Sequence, residues 1–208
     1  MRIALVLGCG RSLNDLPRDL LRQYPSYGGN YIGVSGIQPT YYVCVDYRTL
    51  QDYERIEAVA RNAETVYLGR ALPKSSPIYA LPNAVLLSKD RQDFNEERSF
   101  AGGTVVYPML KLAYYAGFDK VLLWGVDFDP DWAHFTTDYP YSGHPDRKID
   151  AMLFHLSLAA SVYQKARKRI INFSLPSVLD NIFERGSGLV NPIGGNHEAN
   201  ISRASCPA

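Results

Sequence analysis

Short, nearly unbroken apolar runs alternate with longer stretches of helical period, and this alternation restricts the fold more than any other feature. Residues 3–7, 31–34, 41–45, 65–68, 85–87, 121–124 and 169–172 read as strands. Several are apolar throughout, as strands covered on both faces are. Residues 13–23, 50–62, 104–116 and 147–166 read as helices. The last has the clearest stripe, with Ile149, Met152, Leu153, Leu156, Ala160 and Tyr163 on one side. Gly117 stands where the third helix should stop, and Pro108 should kink that helix or shift its start. Strand and helix in turn predict an α/β fold, a Rossmann-like, mainly parallel sheet flanked by helices with a loop or lid region. Residues 1–185 are expected to form a single nucleotide-binding domain. Residues 186–208, rich in Gly, Ser, Asn and Pro, are expected to form a loosely held tail.

Charge narrows the function. With 22 Lys+Arg against 21 Asp+Glu, the net charge of +1 sets up no field for following a nucleic-acid backbone. No apolar run approaches the ~20 residues of a membrane span. The opening apolar residues run at once into Gly8 and read as a strand rather than a leader. Cys9, Cys44 and Cys206 are widely spaced and odd in number, which fits neither a disulfide framework nor a zinc site. They suit a reducing cytoplasm. The 15 tyrosines point to a ligand-lining or interface surface, on which a homo-oligomer would be unsurprising.

Chemistry concentrates in the turns. Gly8-Cys9-Gly10-Arg11-Ser12 follows the first strand directly, where glycines let a backbone approach a phosphate and a helix start attracts its charge. Ser12 with Asp15 reads as a capping pair that starts the helix, and the alternative to a bound phosphate is a tight strand-to-helix turn with a capped helix. A dinucleotide site would need a third glycine and an acid ending the second strand, where Val34-Ser35-Gly36 stands instead. Ala101-Gly102-Gly103-Thr104 is a second glycine-rich helix start, suited to a second anionic group or simply to close packing. Asp46 and Asp127 follow strands and can hold a ribose hydroxyl or a metal. Asp129 and Asp131 continue an alternating acidic pattern that lacks the glycine and glutamate of a calcium loop.

Residues 125–146 form a long loop rich in aromatics, Asp and His, and loops beyond ~12–15 residues are commonly functional. Within it His144, in Gly143-His144-Pro145, stands just ahead of a helix. The positive helix end disfavours imidazolium and leaves a neutral ring able to accept a proton. That suits a general base, against the alternative of a surface histidine. His134 is a second candidate, for phosphate or metal contact. His155, inside the last helix, reads as structural, and His197 has no assigned role. No Gly-x-Ser-x-Gly elbow is present, and Cys9 has no local base.

In order and approximate spacing these features resemble two related groups. One is the bacterial sialyltransferases of glycosyltransferase family 42; the other is the family named after the archaeal 6-hydroxymethylpterin diphosphokinase, with its phage and bacterial branch. The resemblance rests on Gly8-Cys9-Gly10-Arg11-Ser12-Leu13, the strand ending in Asp46, Gly102-Gly103-Thr104 with its helix and Ala116-Gly117-Phe118, Gly125-Val126-Asp127-Phe128 and Gly143-His144. The sialyltransferase resemblance implies metal-independent transfer from a CMP-linked sugar to a small-molecule or glycan acceptor, with His144 as general base and the first glycine turn on the nucleotide. That family has Asn where Asp46 stands and a tyrosine where Asp129 stands, which leaves Tyr139 or Tyr141 to meet the leaving phosphate. The diphosphokinase resemblance implies transfer of diphosphate from ATP assisted by Mg²⁺, with Asp46 or Asp127 near the metal. A third reading is a non-catalytic binding protein that keeps the fold.

Overall fold

The computed structural model describes residues 1–69, 76–89, 94–95, 97, 99–100, 103–128, 134–136 and 149–187. Its centre is one nine-stranded sheet in which every neighbouring pair of strands is parallel. The strands are β1 (Ile3–Leu7), β2 (Ser26–Gly29), β3 (Tyr41–Cys44), β4 (Thr65–Gly69), β5 (Ala84–Lys89), β6 (Ser99–Phe100), β7 (Lys120–Trp124), β8 (Arg169–Asn172) and β9 (Glu184–Arg185). Their order across the sheet is β6-β5-β4-β3-β2-β1-β7-β8-β9. The chain therefore builds outward from β1 in one direction, then returns to its other side with β7. This is the Rossmann-like α/β architecture, with the reversal between β1 and β7.

The helices divide between the two faces. α1 (Asp19–Gln23), α2 (Tyr47–Gln51) and α3 (Tyr53–Asn62) lie on one face. There Leu20, Leu50, Ile56 and Val59 pack with Leu5, Leu7 and Leu122. α4 (Val106–Tyr115) and α5 (Ile149–Lys165) lie on the other, where Leu110, Ala113, Leu156 and Ala159 pack with Val6, Val121 and Leu123. Alternate residues of β1 and β7 thus feed two cores, which is why both runs are apolar throughout. Each fully buried leucine contributes about 2 kcal/mol.

Several expectations are corrected. Residues 31–34 are not a strand: Ile32–Ser35 is a 3-10 turn, and the second strand is Ser26–Gly29. Its two glycines are packing requirements. A Cβ on Gly28 would lie 2.9 Å from Pro39, and one on Gly29 would lie 2.8 Å from Val105. The helix expected over residues 13–23 is a 3-10 turn, Arg11–Asp15, and the short α1. Leu16 precedes Pro17 and adopts extended ψ 118°, because a residue before proline avoids the helical region. The helix expected over residues 50–62 breaks at Asp52, which has φ −90° and ψ 53°.

Of the two effects expected of Pro108, the shifted start is the one found: α4 begins at Val106 rather than residue 104, and the proline sits unkinked in the first turn, where no helical N–H is lost. Gly117, φ +83°, does end α4: its N–H reaches Tyr114 O at 3.0 Å, and Phe118 N–H reaches Ala113 O at 3.2 Å. The tyrosines largely serve the core. Tyr27, Tyr31, Tyr42, Tyr107 and Tyr163 are fully buried, and Tyr163 donates its hydroxyl to Leu110 O at 2.8 Å. The tail beyond residue 187 lies outside the described residues.

Candidate functional site

The carboxyl ends of β1 and β7 meet at the reversal of strand order, where open α/β sheets place their ligands. Beyond the strands the two turns stay zipped. Gly8 N–H donates to Trp124 O at 2.8 Å and Gly10 N–H to Gly125 O at 2.7 Å. The approach leaves no room for side chains: a Cβ on Gly8 would lie 2.2 Å from Gly125 O, and one on Gly10 would lie 2.4 Å from Asp127 Oδ2. Gly125 itself has φ +69°.

Asp127 is the bracket of this junction. Its Oδ2 accepts the Ser12 N–H at 2.9 Å. Its Oδ1 accepts the Ser12 hydroxyl and, at 3.1 Å, the Leu175 N–H. Ser12 Oγ accepts the Gly125 N–H at 3.0 Å, and Ser174 Oγ accepts the Val126 N–H at 2.9 Å. Ser12 and Asp127 are buried, so these bonds form away from water, where leaving one unmade is costly. The loops after β1, β7 and β8 are thereby one unit. Ser12 is no helix cap; its hydroxyl faces Asp127, and Gly10 occupies the cap position without a side-chain bond.

A strap crosses the first turn. His134 bridges Gly10 in antiparallel fashion, Phe135 N–H donates to Cys9 O at 3.0 Å, and Asn14 Nδ2 donates to Phe135 O at 3.2 Å. His134 Nδ1 lies 3.2 Å from Cys9 O. A carbonyl oxygen only accepts, so Nδ1 carries the proton and the neutral ring's lone pair is on Nε2. Burial pushes the imidazole below its ordinary pKa, opposed by the Cys9 carbonyl and the Asp127 carboxylate. The ring is therefore neutral at pH 7.

The remaining expected residues divide. Arg11 is exposed within the 3-10 turn. Asp46 stands exposed at the end of β3, two strands from the reversal, and caps α2 by accepting the Arg48 N–H at 2.8 Å. Gly103, φ +69°, and Thr104, whose Oγ1 accepts the Val106 N–H at 3.3 Å, open α4. Val105 presses against Gly29, so this second turn reaches the same edge of the sheet as the first. His144, Gly102, Asp129, Tyr139 and Tyr141 lie outside the described residues.

Residues to which the sequence reading assigns no role also stand at this edge. Asn30, φ +52°, follows β2, with its carbonyl accepting the Tyr42 hydroxyl at 2.7 Å. Phe128, φ +47°, follows Asp127. Left-handed non-glycine residues store strain that concentrates at functional sites. Asn after a Gly-Gly pair is a readable signal for such a conformation, whereas nothing local marks Ser174 or Leu175.

No family model and no curated protein matches the chain. Solved structures do. The sialyltransferase CstII from Campylobacter jejuni, in complex with the substrate analogue CMP-3FNeuAc, has a TM-score of 0.60 at 17% identity, over 99% of this chain and 96% of that one. The monofunctional alpha-2,3-sialyltransferase Cst-I from the same organism has a TM-score of 0.57 at 18% identity, over 88% of this chain and 79% of its own. Sialyltransferase CST-II with a trisaccharide acceptor and CMP has a TM-score of 0.58 at 15% identity, over 91% and 89%. At these identities the likeness is one of fold. It supports the sialyltransferase-like fold expected from the sequence resemblance.

Proposed function

We propose that the chain is a glycosyltransferase-type enzyme using a nucleotide-activated sugar, with a CMP-linked donor as the first candidate. The observation that carries this reading is the bracketed glycine turn at the β1–β7 reversal, in a fold whose solved neighbours include sialyltransferases in complex with CMP and a CMP-sugar analogue. In this reading the turn of residues 8–12 and the Gly103-Thr104 start of α4 flank the nucleotide. Asn30 and His134 stand beside it. His144 takes the proton from an acceptor hydroxyl; that oxygen then bonds the anomeric carbon, and the bond to the phosphate breaks with its electrons leaving on CMP. Asp127 has both oxygens engaged by Ser12 and Leu175, and in this reading its role is to hold the turn.

A thermal-shift series against CMP, CDP, CTP, UDP, GDP and ATP, with and without Mg²⁺, tests the reading. A ligand at ~100 times its dissociation constant adds about 2.7 kcal/mol, a rise of roughly 5–10 °C in melting temperature at this size. Stabilisation by CMP or CDP without metal is the expected result. A shift only with ATP and Mg²⁺ returns the diphosphokinase reading, and no shift with any nucleotide overturns both. Once a transferase activity is in hand, His144→Ala should lower its rate ~10²-fold or more, and a loss within about threefold removes His144 as the base.

A further inference from the structure

Lys111 has no part in the bracketed turn, yet it is the one Lys or Arg side chain that is fully buried among the described residues. It projects from the second turn of α4. Its Nζ donates to Ser99 Oγ at 2.5 Å, and both residues are 0% exposed. The ammonium also lies 5.7 Å from the centroid of the Phe94 ring and 5.6 Å from that of Tyr107, within reach of a cation–π contact. Tyr107 belongs to α4, and Phe94 precedes β6 in the chain, its carbonyl accepting the Tyr115 hydroxyl at 2.7 Å.

Taking an ammonium out of water is costly. A methionine is of similar length and would fill the place among the rings without that cost, so packing does not account for the charge. What the ammonium adds is a directed bond, and the bond has a particular span. Ser99 opens β6, and Lys111 stands twelve positions further on. Between them the chain leaves the sheet and enters α4 through Gly103 and Thr104. The bond therefore closes the base of the second glycine turn. The other side of that turn is fixed separately, where Val105 presses against Gly29 of β2.

We infer that Lys111 is a positioning residue for the Gly103-Thr104 turn: its bond to Ser99 sets β6 against α4 and so holds the turn where it flanks the nucleotide. The role rests on the proposed nucleotide site, and Lys111 acts on that site through the turn. The first turn has its own brace in Ser12 and Asp127. The second is braced by a buried cation instead. Loss of that cation has a signature that separates position from stability. Replacing a buried charge with an apolar side chain of similar volume is often neutral or stabilising, whereas the turn is released at its base.

Lys111→Met, Ser99→Ala and the double variant of the full chain test the role by melting temperature, amide hydrogen exchange and CMP affinity. Lys111→Met should melt at or above the wild-type temperature, and Ser99→Ala, which strands the ammonium, should melt below it. Exchange over residues 103–106 should quicken about tenfold in Lys111→Met, while exchange over residues 8–12 stays within about twofold of wild type. The dissociation constant for CMP should rise about tenfold. The double variant should bind CMP no more weakly than Lys111→Met, because both changes remove one bond. With a transferase activity in hand, the donor KM should rise by the same factor and kcat stay within about threefold. Unchanged exchange over residues 103–106 overturns the role, with or without a ligand. Equal CMP affinity in wild type and Lys111→Met overturns it as well and leaves the nucleotide site standing. A lower melting temperature with faster exchange throughout the chain makes Lys111 a core residue only, which also overturns it. A wild type that binds no nucleotide overturns the site and the part of Lys111 in it.

Discussion

Two glycine-rich turns reach the same edge of the sheet, and they use glycine for different reasons. In the first, Gly8 and Gly10 are glycines because a Cβ would strike the Gly125 carbonyl or the Asp127 carboxylate. In the second, Gly103 is needed for its backbone, with φ +69° at an exposed position. The first turn is welded into a buried network; the second stands at the start of α4, touching β2 through Val105. The same composition therefore marks a close approach of two backbones in one place and a left-handed backbone in the other.

Substitutions separate the two. Gly8→Ala is expected to cost the most, about 4 kcal/mol, because both colliding groups are backbone and neither can swing aside. Urea unfolding measures it, and a loss below about 1 kcal/mol would mean that the turns are not zipped. Asp127→Ala should follow at about 3 kcal/mol, since it strands the Ser12 N–H and hydroxyl and the Leu175 N–H in a buried place. Gly103→Ala should cost only about 1 kcal/mol, the strain of a left-handed alanine. If it matched Gly8→Ala in the same urea series, the contrast between the turns would collapse.

The smallest effect concerns pH. His134 is held below its ordinary pKa by burial, so the folded state prefers the neutral ring. Stability from this group is complete above the unfolded value of about 6.5 and declines as pH falls through the lower folded value. Wild type should therefore lose more melting temperature than His134→Gln between about pH 7 and 5. Parallel pH curves for the two proteins would place the strap outside the buried unit.

Much of this was legible in the residues, and the exceptions share a cause. β1 and β7 announce themselves as unbroken apolar runs and α5 by its helical stripe, because each signal is local to its own element. β2 does not, since Ser26-Tyr27-Gly28-Gly29 is chosen for the approach of Pro39 and Val105 from elsewhere in the chain. Residues 31–34 look like a strand because Tyr31 and Ile32 are buried, yet their burial comes from a 3-10 turn. At the site, the turn of residues 8–12 and Asp127 were each visible alone. Their bond was not, because it joins residues 115 apart in sequence. Asp127 looked like a ligand for the same reason that it serves as a bracket: it ends a central strand.

The strand order also sets a timetable for assembly. β1 pairs with β2 across 21 residues, Leu5 to Ser26, but with β7 across 117, Leu5 to Leu122. At ~5–20 residues per second, a nascent chain can lay β1 to β5 side by side for several seconds before β7 has been made. Throughout that interval β1, the apolar centre of the finished sheet, is an open edge of the kind that recruits other strands. The turn of residues 8–12 shares the delay, because its bracket waits for Asp127 and Leu175. A chain interrupted before β7 therefore lacks the site and also exposes the strand most prone to aggregate.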